Sequence, residues 1–180
     1  MYKVLIADDE AIIRGGLARF VESDPEFRVV ATAEDGRAAL ALAREHRPDL
    51  ALVDINMPFI NGIALTEQLV AMLPDIVIVI ISGYDDFSYA QNALRLGVLD
   101  YILKPVMEDD FFDLLRRAKV RLTESRGRQR YLSWARDQME RYKPSLIDHF
   151  FQKWSARQLD ALEVEEQLRY LNLVVPAQYE

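Results

Sequence analysis

At 180 residues and 20.8 kDa the chain has room for one ordinary domain and a substantial extension. Its 51% hydrophobic and 28% charged residues exclude disorder, and the absence of cysteine excludes disulfides, thiolate metal sites and cysteine nucleophiles. A formal net charge of −7 with a pI near 5.0 argues against this chain binding nucleic acid by itself.

The chain opens with Val4–Ala7, a short apolar run cut off by Asp8-Asp9-Glu10. That run is too short for a signal-peptide core, and no later run approaches the ~18 residues of a membrane span. A cytoplasmic chain without a membrane segment is expected. An amphipathic helix follows, with Ile13, Leu17, Phe20 and Val21 on one face, and Ser23-Asp24-Pro25 breaks it. Phe27–Ala33 reads as a strand, and Gly36 opens a second helix through Ala39, Leu40 and Ala43 that His46-Arg47-Pro48 stops. Leu50–Val53 is a short apolar run leading into Asp54, Met57-Pro58 and Asn61-Gly62, the signature of a fully buried strand and its turn. Gly62–Met72 is the third helix. Ile76–Ile81 is six β-branched residues in succession, the clearest strand in the chain, and it ends at Ser82-Gly83. Asp86–Leu96 is a fourth helix stopped by Gly97, Asp100–Leu103 a short strand, and Lys104-Pro105 the turn into a fifth helix near Glu108.

Strands alternating with helices of about ten residues argue for right-handed βαβ units. The expected fold is α/β: a flavodoxin-like, doubly wound five-stranded parallel sheet in the order 2-1-3-4-5, with a C-terminal helical extension. In the fifth helix Phe111, Leu115, Ala118 and Leu122 form an apolar stripe that weakens beyond Ser125, and a second pattern holds Tyr131, Ala135, Gln138 and Tyr142. The stretch is one long helix or two, packed on its own domain or paired with a second copy as a short coiled coil. Pro144 is expected to end it, with Ser145-Leu146-Ile147-Asp148 as a capping box opening another helix. Leu162–Leu171 is a last helix, before Val174-Val175. The expected boundaries are therefore 1–122, a helical linker over 123–143, and 144–180.

In that topology four strand ends bring Asp8, Asp9, Asp54, Ser82 and Lys104 to one sheet edge. Singly, each has an ordinary explanation: an N-cap for Asp8 or Asp9, a turn residue for Asp54 or Ser82, a surface cation for Lys104. Tyr101 reads more readily as a core aromatic than as a moving part. Independent caps have no reason to collect three carboxylates, a hydroxyl and an ammonium at one edge. Crowded carboxylates repel unless a cation sits among them, and oxygen ligands without His or Cys suit Mg²⁺. Such a site activates one carboxylate as a phosphoryl acceptor, and Asp54 is the candidate.

Asp8-Asp9-Glu10, Asp54 with Met57-Pro58 and Asn61-Gly62, Ser82-Gly83, Tyr101 and Lys104-Pro105 closely resemble the receiver domain of two-component response regulators. The resemblance covers residues 1 to about 122. It implies the CheY-like form of the fold, with Asp54 accepting phosphate from a sensor kinase's phosphohistidine. It implies further that Asp9, Asp54 and the Asn56 backbone carbonyl bind Mg²⁺ directly and Asp8 through water. Lys104 would contact the phosphoryl oxygens, the Lys104–Pro105 bond would be cis, and Ser82 and Tyr101 would form the switch. A narrower resemblance, through Ser82–Ala90 and Gly97–Tyr101, is to receivers of regulators with an AraC-type DNA-binding domain. It implies that 123–180 are a linker and an incomplete middle segment and that DNA is bound only through an output domain missing here. Homodimerisation, transmitted by the helix beyond Glu108, is the expected readout of phosphorylation.

Three alternatives are set against this. The basic cluster Arg116, Arg117, Lys119, Arg121, Arg126, Arg128 and Arg130 reads as a solvated helix face before a DNA-binding one. A phosphatase with an aspartyl nucleophile typically needs a second acid two residues on, where this chain has Asn56. A binding module without phosphate signalling does not account for the complete residue set. The chain is expected to be no enzyme beyond its own phosphoryl transfer and autodephosphorylation. His46 and His149 lie in no phosphotransfer-like context, so the phosphate is expected from another protein's histidine.

Overall fold

Apolar strands of the kind at residues 50–53 need cover on both faces, and the computed structural model supplies it. It describes residues 1–83 and 87–170, without the side chains of 87–90, 139, 143 and 145. The strands are β1 (Tyr2–Ala7), β2 (Phe27–Ala33), β3 (Leu50–Asp54), β4 (Val77–Ser82) and β5 (Asp100–Leu103). The helices are α1 (Ala11–Glu22), α2 (Gly36–His46), α3 (Gly62–Met72), α4 (Phe87–Arg95), α5 (Glu108–Ser155) and α6 (Ala161–Tyr170). All strand pairs are parallel, in the order β2-β1-β3-β4-β5, as the sequence predicts. The proposed start of the fourth helix at Asp86, the end of the last helix at Leu171, and Val174-Val175 lie outside the described residues.

Alternation along the strands divides the core into two layers. Val4, Ile6, Leu52, Val79 and Ile81 face α1 and α5, where Leu17, Val21, Phe111, Leu115 and Leu122 meet them. Leu5, Ala7, Val53, Ile78 and Ile80 face the other way, against Leu40, Leu65 and Leu69. β3 is buried at every position, and each of its larger side chains contributes about 2 kcal/mol by leaving water. Local chemistry sets the helix ends. Asp35 caps α2 by accepting from Arg37 N–H and Ala38 N–H at 2.8 Å each, and Asn61 caps α3 by accepting from Ala64 N–H at 2.9 Å. Arg47 closes α2 in the left-handed conformation, just ahead of Pro48.

The chain divides into two compact units, Met1–Arg126 and Gly127–Glu180. Within the first unit, the end of its helical segment is fastened to the edge of the sheet where the strands begin. Tyr2 OH and Thr123 Oγ1 are 2.9 Å apart, Ser125 donates to Asp75 at 2.9 Å, and Arg126 reaches Asp49 at 3.1 Å while covering the Tyr2 ring at 4.1 Å. Arg126→Ala should therefore destabilise the first unit by about 1 kcal/mol, read as a lower denaturant midpoint with an unchanged slope. Much of the basic cluster is engaged in the same way: Arg117 pairs with Asp100, Lys119 with Glu26, and Arg116 with Asp113.

One expectation fails. Pro144 does not end the helix, and Ser145-Leu146-Ile147-Asp148 is no capping box, because α5 runs through both to Ser155. Proline removes one N–H and crowds the carbonyl four residues back, a finite cost that neighbouring packing can offset. Here Phe150 is 3% exposed and contacts Phe151 and Trp154, so the apolar face beyond Pro144 favours continued helix. The capping box of the second unit lies further on: Glu163 N–H donates to the Asp160 side chain and Asp160 N–H to the Glu163 side chain, at 2.8 and 2.9 Å.

Candidate functional site

The strand order reverses between β1 and β3, which opens a crevice at their carboxyl ends. Asp8 follows β1 directly and Asp54 is the last residue of β3, so the two carboxylates meet there. Both are nearly fully buried, at 1% and 4% exposure. Lys104, immediately after β5, extends across the edge: Nζ lies 2.8 Å from Asp8 Oδ2, 3.1 Å from Asp54 Oδ1 and 3.4 Å from Glu10 Oε1. The Lys104–Pro105 bond is cis.

Backbone donors fix the carboxylates further. Asn56 N–H donates to Asp54 Oδ2 at 3.0 Å and Glu10 N–H to Asp8 Oδ1 at 2.9 Å, while the Arg14 guanidinium donates to the Asp8 carbonyl at 2.6 Å. Ser82 is buried at the end of β4, and its carbonyl accepts from Lys104 N–H at 2.7 Å. Tyr101 is half-buried and packs on the layer beneath α2 and α3. Asp9 is exposed, and its carboxylate gathers with those of Asp8 and Glu10 within 4.8 Å. Asp8, Asp54 and Lys104 are thus in direct contact, Ser82 and Asn56 are bound to them through the backbone, and Asp9 lies on the open side.

Burial pushes the Asp54 carboxyl above its ordinary range, and the neighbouring Asp8 charge adds to that. Lys104 and Asn56 N–H pull the other way without cancelling it. Burial alone would lower the Lys104 ammonium, but its contacts with Asp8 and Asp54 outweigh this and hold it well above the usual lysine value. Asp8 Oδ2 is buried without an aligned hydrogen-bond donor among the described residues, although Lys104 Nζ stands 2.8 Å away. A buried carboxylate beside those of Asp9 and Glu10, with neither His nor Cys in the donor set, suits a hard divalent cation.

Two residues were not singled out in advance. Glu10 supplies the third carboxylate near Lys104, and its only sequence signal is its place in Asp8-Asp9-Glu10. Arg14 holds the Asp8 carbonyl from one turn into α1, a contact that spacing alone does not announce.

A family model described as the response regulator receiver domain matches residues 4–116. An uncharacterized response regulatory protein of Staphylococcus epidermidis is 44% identical over 125 residues, covering 69% of this chain and 49% of that protein. The transcriptional regulatory protein DegU of Brevibacillus brevis is 37% identical over 114 residues, covering 63% and 48%. Among solved structures, the REC domain of AraT, a response regulator from Geobacillus stearothermophilus, aligns with a TM-score of 0.66 at 44% identity, covering 69% of this chain and 98% of that one. The chain spans about half the length of the curated relatives it matches. No helix among the described residues is long and apolar enough to cross a membrane.

Proposed function

The chain belongs to the response regulator receiver domain family, a family of signalling domains and not classical enzymes, and on that premise we propose that Asp54 is its phosphoacceptor. The observation that carries the reading is the Asp8–Lys104–Asp54 contact, a buried carboxylate with a fixed ammonium 3.1 Å from one of its oxygens. An Asp54 oxygen attacks phosphorus as the N–P bond of a sensor kinase's phosphohistidine breaks. The departing imidazole takes up a proton, and an acyl phosphate remains on Asp54. Lys104 faces the equatorial oxygens as charge develops on them, which is most of what phosphoryl transfer requires. Asp8, Asp9, Asp54 and the Asn56 carbonyl would hold Mg²⁺, which when bound neutralises part of the phosphoryl charge. Ser82 and Tyr101 would answer the new charge at Asp54 as the switch.

Mg²⁺ at about a hundred times its dissociation constant should add roughly 2.7 kcal/mol of stability, read as a rise in the thermal midpoint. Asp9→Asn should remove most of that rise. The function itself is tested by incubating the chain with a small-molecule phosphodonor. One phosphoryl group should be gained with Mg²⁺ present, and labelling should fall to background when the ion is chelated. Equal labelling in both conditions would refute the role of the ion, and turnover of a generic phosphoester would instead favour a phosphatase.

In the complete protein, the similarity through Ser82–Ala90 and Gly97–Tyr101 supports an AraC-type helix-turn-helix output acting on DNA in a bacterial cytoplasm. Residues 1–122 would be the receiver, 123–143 a linker with coiled-coil capacity, and 144–180 the start of a middle segment. Phosphorylation would switch a homodimer, and the domain would hydrolyse its own acyl phosphate.

A further inference from the structure

We propose that the first turn of α2, through Gly36 and Arg37, is a positioning element for the loop 55–61 that follows the phosphoacceptor; the proposal rests on the role assigned above to Asp54. Part of this loop is held by its own backbone: Met57 N–H donates to the Ile55 carbonyl at 3.2 Å, Ile60 N–H to the Pro58 carbonyl at 2.8 Å, and Gly62 N–H to the Ile55 carbonyl at 2.8 Å. Gly62 sits so close beneath Asp54 that a Cβ there would lie 2.2 Å from the Asp54 carbonyl oxygen. Between these ties, Phe59 adopts a left-handed conformation at φ 67°, unfavourable for a residue with a side chain and in need of outside support.

That support comes from an element distant in sequence. The Arg37 guanidinium covers the Phe59 ring at 4.7 Å, and the backbone of Ile60 rests directly on Gly36. A Cβ on Gly36 would stand 2.3 Å from the Ile60 carbonyl oxygen and 2.7 Å from Ile60 Cβ. Because the clash is with backbone, the loop itself has to move. The Asp35 cap fixes where α2 begins, and so where Gly36 and Arg37 press. Displacement of Ile60 passes through three residues to Asn56, whose N–H orients the Asp54 carboxylate and whose carbonyl is assigned to Mg²⁺.

The test compares Gly36→Ala and Arg37→Ala with wild type in the full chain. Amide hydrogen exchange over 55–62, measured without metal, should accelerate by about tenfold in Gly36→Ala, where a methyl group overpacks the contact. In Arg37→Ala it should accelerate by about threefold, from loss of an exposed ring contact. Exchange in β1 and β3 should stay as in wild type. The Mg²⁺ dissociation constant should rise by about tenfold in Gly36→Ala, as for loss of a group that orients a metal ligand. Wild-type exchange over 55–62 in both variants, or acceleration spread evenly over the first unit, overturns the proposal. If Gly36→Ala fails to fold, Arg37→Ala decides the outcome, because it only removes surface atoms. The two readings separate: if the wild type takes no phosphoryl group, the role of Asp54 fails, whereas loop exchange still answers for Gly36 and Arg37.

Discussion

Asp54→Asn should reduce phosphorylation by a small-molecule donor to background while leaving the chain folded. The amide keeps the shape of the carboxylate and its contact with Asn56 N–H, but its uncharged oxygen is no nucleophile. The neighbouring acids cannot replace it: Asp9 and Glu10 are exposed, and Asp8 is held by Lys104 and Glu10 N–H on the other side of the ammonium. Stability should move in the opposite direction from activity. The Asp54 carboxyl is raised in the folded state, so the stability linked to its proton is present below the unfolded value and lost as pH rises through the folded one. Wherever the pH keeps it ionised, the group therefore opposes folding, and there Asn should raise the thermal midpoint. The advantage should shrink as pH falls through the raised folded value and vanish below the unfolded value. A midpoint lower than wild type at neutral pH would mean that the Lys104 contact outweighs the burial of Asp54.

Lys104→Met should be damaging in both respects. It removes the cation between two buried carboxylates and leaves Asp8 and Asp54 facing each other. Breaking a buried pair by deleting one partner costs on the order of 3 kcal/mol. The Lys104 side chain is 13% exposed, so solvent replaces little of the loss. In wild type the ammonium is raised in the folded state, and its contribution is complete below the ordinary lysine value and fades only in strong alkali. The deficit of the variant should accordingly be full at neutral pH, and it should narrow in acid as Asp54, raised by its burial, takes up a proton. Mg²⁺ should also narrow it by supplying another positive charge. Labelling at saturating Mg²⁺ should fall by about 10²- to 10³-fold, the usual consequence of losing one preorganised group facing developing charge. Denaturation across pH with and without Mg²⁺ checks the first claim, and labelling rates check the second. A deficit that grows in acid would contradict the electrostatic account.

The fold was legible because its strands are almost purely apolar. Val4–Ala7, Leu50–Val53 and Ile76–Ile81 have no polar face to present to water, so a sheet covered on both sides is the economical solution, and each strand end then marks the edge where Asp8, Asp54, Ser82 and Lys104 collect. Contacts between residues far apart in sequence were not legible. Nothing near Gly36 announces that the Ile60 backbone lies on it, nor anything near Arg126 that Tyr2 and Asp49 receive it. Pro144 differs for another reason: its local preference to end a helix is outweighed by the packing of Phe150, six residues further on.

The central claim is that one carboxylate, Asp54, carries the phosphoryl group, and its most direct test is to locate that group. The full chain is incubated with a small-molecule phosphodonor and Mg²⁺, the acyl phosphate is trapped by reduction, and the modified peptide is sequenced by mass spectrometry. The account predicts a single modification at Asp54, absent without Mg²⁺. Modification at Asp8, Asp9 or Glu10 in its place, or none at any carboxylate, would contradict it.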